Sequence, residues 1–391
     1  MPTPLEGIRV LDFTRYQHGP YATVMLSDMG AEIIKVEERG RGDLGRAFGA
    51  RPDGFCAYFE AHNRNKQSIT LDVRAGEGRR IVEQLAERVD VVVENFRPGV
   101  MDRLGIGYER LSAINPRVIM ASASGFGPKG AKARRPSYDV IGQAMGGIMM
   151  AQAGGADQEP VLITGGFADH VGAMFLAFGI SMALIARERF GIGQHLDESL
   201  LGSQIAFQSM GYLRSLQATE LGQHYDNPLF RAYQCGDDAW IAIGILDPKV
   251  WPALTRAVDK PELATDPRFS EPFARFQHSA ELKAELAAGF RSRPRDEWMA
   301  RMIEHDVPAG AVRSYAEVAA DPDVLANGYI VEMEHPHIGT IRAPGLPVQL
   351  SKTPGAVRSA APELGQHTEE ILLSLGYSWE AIEDLRTRGV I

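Results

Sequence analysis

An α/β fold, with a large doubly wound domain and a smaller α+β domain, is predicted by three observations on this chain of 391 residues. Short β-rich runs alternate with helical patterns through the first third, as in right-handed βαβ units of a parallel sheet. The texture changes after a polar, linker-like stretch at Gly222–Phe230. The length also exceeds what one hydrophobic core usually supports, so two domains are the expectation.

The elements follow in order. Ile8–Phe13 reads as a strand, and Gly19-Pro20 opens a helix that ends near Gly30. Ala31–Val36 is the next strand, and the three pieces make one βαβ unit. A helix through Glu77–Arg88 and strands at Asp90–Glu94 and Arg117–Ala121 repeat the pattern. Two long helices are expected at Asp169–Arg189 and Glu198–Leu216, joined through Gly191-Ile-Gly193. Beyond the linker, Phe230–Gln234 and Trp240–Ile245 flank Gly236-Asp237-Asp238, a hairpin signal. Short helices are expected near Lys249–Val258, Ser279–Arg291 and Arg295–His305. Two more close the chain, near His367–Leu375 and Trp379–Arg388.

A net charge of −9 argues against nucleic-acid binding, which needs a dominant basic surface. Cys56 and Cys235 are far apart, so neither a disulfide framework nor a zinc site is expected, and a reducing cytoplasmic setting fits. No apolar signal core opens the chain. The longest near-apolar stretch, Ala173–Ala186, is shorter than the ~20 residues of a membrane span and reads as a buried core helix of a soluble protein.

The strongest local candidate for chemistry is Thr164-Gly165-Gly166-Phe167-Ala168-Asp169. The glycine pair permits close backbone approach to a ligand, and a carboxylate follows at the start of a long apolar helix. Unpaired N–H groups at such a terminus can hold an anion or steady an oxyanion. The same aspartate also reads as an ordinary helix cap, the commoner role. Polar side chains follow the ends of several strands, where open α/β sheets bind ligands: Gln17 and His18, then Asn95-Phe96-Arg97, then Ser122–Gly127. Basic residues gather at Lys35, Arg39, Arg41 and Arg46, at Arg97 and Arg103, and at Lys129–Arg135. They read either as phosphate contacts or as solvated loops. Nucleotide fingerprints, G-x-S-x-G, H-E-x-x-H and metal-ligand spacings are all missing, so hydride transfer and serine or zinc hydrolysis lack support.

Together the motifs resemble one family. Pro4–Phe13 with Gly19-Pro20, Gly30–Glu37, Asn63–Lys66 with Leu71-Asp72, and Val92–Gly99 carry the likeness. It continues in Asn115-Pro116, Ser124–Gly127, Tyr138-Asp139, Gly193-Gln194 and Leu364–Thr368. The series resembles the family III CoA-transferases, which include formyl-CoA:oxalate and carnitine CoA-transferases and are related to α-methylacyl-CoA racemase.

The resemblance implies that Asp169 is the catalytic nucleophile. It would form an acyl anhydride and then an aspartyl-CoA thioester while CoA moves from an acyl-CoA to a small carboxylic acid. No metal and no permanently bound cofactor is implied, since coenzyme A enters as part of the substrate. Gln17, His18, Tyr58, Tyr138, Asp139, Gly165 and Gly166 are expected to line the active site. Lys35, Arg39, Leu71, Asn95, Phe96, Arg97 and Arg103 are expected at the CoA, with Glu38 where the formyl-CoA branch has arginine. That branch's glycine-rich loop has no counterpart in Pro228–Cys235. The implied fold is an interlocked homodimer of ring-like subunits, with residues 1–221 and 331–391 in the large domain and 222–330 in the small one. The racemase branch is the alternative, acting by α-proton exchange. There a histidine directly precedes the equivalent of Asp139, but here the residue is Tyr138, whose phenol with a pKa near ~10 is a poor base. His18 or His170 would have to serve as the base instead.

Overall fold

The computed structural model describes residues 1–154, 157–217 and 227–391. The chain divides into two compact units, one of Met1–Gly222 with Leu325–Ile391 and one of Gln223–Val324. Most of the expected linker at Gly222–Phe230 lies outside the described residues.

Six strands form the sheet of the first unit: β1 (Arg9–Asp12), β2 (Glu32–Glu37), β3 (Gln67–Thr70), β4 (Val91–Glu94), β5 (Ile119–Ser124) and β6 (Gln194–Ser199). All pair in parallel, in the order β3-β2-β1-β4-β5-β6. The order reverses between β1 and β4. Loops leaving these two strands at their carboxyl ends therefore part in opposite directions and open a crevice, the usual ligand position in such sheets.

Strand alternation feeds two cores. Val10, Ile33, Val91, Val93 and Ile119 face one layer, where they meet the helix α1 (His18–Asp28) and the long helix Phe167–Phe190. Leu11, Ile34, Val92 and Met120 face the other, against the helices Gly76–Ala86, Thr368–Ser374 and Trp379–Thr387. A strand covered on both faces reads as a continuous apolar run, which is why Val91–Val93 was legible. The chain's last helices thus pack on the same sheet as its first strands.

Two strands depart from expectation. Gln194–Ser199 is an edge strand that pairs with β5 over six residues, so Glu198 lies in a strand and not at a helix start. The helix expected from Glu198 begins instead at Leu200 and is broken into Leu200–Phe207 and Ser209–Leu216. The other is β3, a four-residue edge strand that carries no long β-rich run.

The long helix is apolar enough by length and composition to cross a membrane. Its Ala173, Leu176, Ile180 and Ala183 are buried against the sheet and α1. Its other face leaves Met174, Phe175, Phe178, Met182 and Ile185 exposed.

In the second unit Phe230–Gln234 and Trp240–Gly244 form the expected antiparallel hairpin, and Ala309–Ala311 adds a third strand. Helices Trp251–Ala257, Ser279–Phe290 and Arg295–Glu304 enclose a core that includes Trp251, Phe290 and Trp298.

Candidate active site

The loop after β1 is pinned from neighbouring strands. Asp12 is fully buried, and its carboxylate accepts from Thr14 N–H (2.8 Å), Thr14 Oγ1 (2.5 Å) and Thr23 Oγ1 (2.7 Å). Lys66 Nζ stands 3.1 Å from the same carboxylate. Lys35 Nζ donates to the Thr14 carbonyl (2.8 Å) and pairs with Asp43 at 2.9 Å. Burial works against each charge, but the lysines prevail at Asp12 and hold its carboxyl at about 2. Burial brings Lys66 down to about 8, with Asp12 opposing the fall. Beyond Thr14, Asn95 accepts from Arg15 N–H (2.9 Å) and donates to the Arg15 carbonyl (2.8 Å). Tyr16, at a positive φ of 65°, donates its N–H to Asp43 Oδ1 (3.0 Å). These bonds compensate for a backbone conformation that non-glycine residues seldom adopt.

Gln17 and His18 are thereby aimed at the start of the long helix. Gln17 Nε2 donates to the Gly165 carbonyl (3.1 Å) and approaches His170 Nδ1 (3.2 Å). Gly166 is the N-cap, with φ 74° and ψ 44° in the left-handed region. A Cβ there would lie 2.0 Å from Gln17 Nε2. Gly166→Ala therefore combines roughly 1–3 kcal/mol of backbone strain with displacement of Gln17. Lowered thermal stability and a lower kcat are the expected outcome, read by thermal unfolding and initial rates.

The cap itself comes from elsewhere. Asp139, in the first turn of the helix Asp139–Met145, accepts from the N–H groups of Ala168 (2.6 Å) and Asp169 (3.1 Å) through one oxygen. Gln143 Nε2 donates to its other oxygen (2.8 Å) and to the Ile163 carbonyl (2.8 Å), and Gln143 Oε1 accepts from Ile163 N–H (3.0 Å). The alternative reading of Asp169 as an ordinary cap thus does not hold: Asp139 has that role. Among the described residues the Asp169 side chain makes no hydrogen bond or ion pair. It is partly buried, and its carboxyl is pushed up to about 6, first by burial and then by the Asp139 and Glu198 charges, with His18 acting the other way. Such a group is chiefly anionic at neutral pH and has oxygens to spare.

Around it stand Tyr58, whose phenol is pushed upward by burial and by the Asp169 charge, and His62 and His170, whose rings stack at 5.5 Å. Burial keeps His62 neutral, near about 4. Tyr138 lies outermost, 59% exposed, edge-on to Tyr16 at 5.8 Å. Gln17, His18, Asp139, Gly165, Gly166 and Asp169 are therefore brought together, Tyr58 borders them, and Tyr138 stands at the rim.

The residues expected at CoA divide. Lys35 is completely buried and its ammonium is engaged by Asp43 and Thr14, leaving no face for a ligand. Leu71, 2% exposed, belongs to the sheet core. Both expectations are corrected. Asn95 uses both ends of its amide on the Arg15 backbone, a bracing role. Phe96 is half-buried beneath the Arg15 guanidinium, 5.2 Å from its ring centroid. Arg39, Arg97 and Arg103 are exposed and, among the described residues, form no ion pair, so their guanidinium groups are available to an anion. They leave the carboxyl ends of β2 and β4, the same sheet end as Gln17.

Sequence reasoning missed Glu198. Its Oε2 lies 2.6 Å from His18 Nε2, with both side chains buried. The only signal available was the period-two pattern Leu196, Glu198 within a polar run. Among the described residues no three His, Cys, Asp or Glu side chains gather as a metal-ligand set.

Known proteins are similar to this chain over nearly all of its length. The family model for CoA-transferase family III matches residues 5–368. Succinyl-CoA–D-citramalate CoA-transferase of Chloroflexus aurantiacus is 36% identical over 100% of this chain and 98% of its own. Succinyl-CoA:glutarate CoA-transferase of Mus musculus is 35% identical, covering 99% of this chain and 90% of its own. A solved CAIB/BAIF family protein from Brucella suis superposes with a TM-score of 0.84 at 34% identity, over 96% of this chain and 100% of that one. The chain belongs to the family III CoA-transferases. It is accordingly an enzyme that transfers CoA between acyl-CoA thioesters and carboxylates.

Proposed function

We propose that this enzyme moves CoA from an acyl-CoA to a dicarboxylic acid through covalent intermediates on Asp169. The observation that carries the reading is the division of labour between two aspartates. Asp139 takes the capping bonds, and Asp169 is left as an unbonded, partly buried carboxylate at a helix N-terminus. The dicarboxylic class rests on the acids in the names of the two relatives, D-citramalate and glutarate.

In the first step an Asp169 oxygen attacks the thioester carbonyl, the C–S bond breaks, and CoA leaves as thiolate. The thiolate then attacks the Asp169 side-chain carbon of the mixed anhydride, expelling the first acid and leaving an aspartyl-CoA thioester. The acceptor carboxylate attacks that thioester and forms a second anhydride, again releasing thiolate. Attack of the thiolate on the acceptor's carbonyl gives the new acyl-CoA and restores the Asp169 carboxylate. Covalent catalysis divides one exchange into activated steps that each conserve an acyl bond.

Hydroxylamine added during turnover with succinyl-CoA and a dicarboxylic acid should convert Asp169 to its hydroxamate, seen in the peptide by mass spectrometry. An unmodified peptide under active turnover rejects the mechanism. The racemase alternative draws no support from the site: His18 is paired with Glu198, Tyr138 is exposed, and the relatives named above are transferases.

Arg97 and Arg103 are proposed to meet the CoA phosphates, with Arg39 beside them. Arg97→Ala and Arg103→Ala should each weaken CoA binding by about tenfold, the scale of one charge-assisted hydrogen bond. Calorimetric titration at two salt concentrations checks this, since added salt should weaken the wild type more than either variant. The exposed apolar face of the long helix supports association with a second copy.

A further inference from the structure

Asp169 and Gly172 are three residues apart on the long helix and therefore share one face of it. A Cβ on Gly172 would lie 2.6 Å from His18 Nε2 and 3.2 Å from Glu198 Oε1. The His18 ring consequently rests on that face, beside the nucleophile and one turn along. Glu198 Oε2 stands 2.6 Å from His18 Nε2, and the two side chains are 8% and 7% exposed. Ser203 Oγ donates to the other Glu198 oxygen, so the carboxylate is held at both ends. A buried carboxylate in this position is strongly destabilising without a cationic partner.

We propose that His18, clamped by Glu198 against Gly172, is a positioning residue: a lasting imidazolium whose charge keeps Asp169 in its anionic, attacking form and which exchanges no proton during turnover. The inference rests on the reading of Asp169 as nucleophile and adds the group that tunes it. The groups facing the pair from each packed element are known. Asp139 comes from the helix Asp139–Met145, Glu198 from β6, and Tyr58 with His62, the latter held neutral by burial, from the helix Ala57–Asn63. His170, next along the long helix, is held neutral by burial. Burial, Asp139 and Glu198 all favour the protonated Asp169, and His18 opposes them. Burial also disfavours a charged His18, but the carboxylates of Glu198 and Asp169 reverse that and shift it upward.

The test is the pH profile. In His18→Gln the influence that lowers Asp169 is gone, so Asp169 protonates at higher pH. The acid limb of kcat/KM should move up by about one pH unit, a roughly fivefold deficit at pH ~6 that grows towards tenfold at lower pH and recovers towards the alkaline plateau. CoA affinity should stay within about twofold of wild type by calorimetry. A purely structural role would depress the whole profile evenly, and an unmoved acid limb overturns the inference. Should the variant not fold, 15N-histidine spectra of the wild-type protein decide instead. One imidazole, assigned through Glu198→Gln, should titrate above the ordinary ~6.5, whereas titration at or below that value overturns the inference. Asp169→Ala separates the two levels. If that variant still exchanges CoA, the nucleophile reading fails. If it is inactive while the His18→Gln limb stays put, only the role of His18 fails.

Discussion

Asp169→Ala is expected to abolish CoA exchange, lowering kcat by at least about 10⁴-fold, the scale seen when a covalent nucleophile is removed. No neighbouring carboxylate is placed to take over. Asp139 is committed to two backbone N–H groups and Gln143, and Glu198 is committed to His18 and Ser203. The fold should survive, because the helix keeps the cap supplied by Asp139 and the lost side chain made no hydrogen bond. CoA binding should also survive, since the exposed arginines lie outside the reacting centre. The measurements are isotope exchange between an acyl-CoA and its free acid, and calorimetric CoA titration. Exchange persisting at more than a few per cent of wild type would falsify the covalent route.

Lys35→Met should act on stability and not on ligand recognition. Its ammonium is completely buried between Asp43 and the Thr14 carbonyl, with Asp12 close by. Burial alone would lower its proton affinity, but the Asp43 and Asp12 charges override that and raise it, so the lysine is charged. Removing it leaves Asp43 as a buried anion whose cationic partner is gone. Breaking a buried pair in this way costs about 3–5 kcal/mol, a large part of a typical domain's stability. Urea unfolding should show the midpoint fall steeply. Any folded fraction at low temperature should bind CoA as wild type does. If the variant instead unfolds normally and binds CoA poorly, Lys35 is a ligand contact after all.

The contrast between Lys35 and Asp169 shows what the sequence made legible. Strands such as Val91–Glu94 announce themselves because both faces are covered, which selects an unbroken β-branched run. The helix start that carries Asp169 was locatable because a glycine pair precedes a long apolar run. Lys35 was misplaced because a basic residue near a loop reads as a ligand contact. Only the register Asp12↔Lys35 reveals that it points into the fold. Gln194–Ser199 was missed because an edge strand with one open face tolerates His195, Asp197 and Ser199, which look helical or loop-like. Glu198 went with it. The role of Asp139 was hidden for another reason: its bonds to Ala168 and Asp169 span about thirty positions, and no local pattern reports a cap delivered from another helix.

That remote cap has a corollary for how the chain tolerates change. Asp139 and Gln143 on one side, and Ile163, Ala168 and Asp169 on the other, are fastened to each other like the two ends of a buckle. Each fastening is a short run of the chain, residues 139–143 on one side and 163–169 on the other. A substitution that spares these five residues should therefore leave the start of the long helix, and with it the Asp169 carboxylate, where it stands.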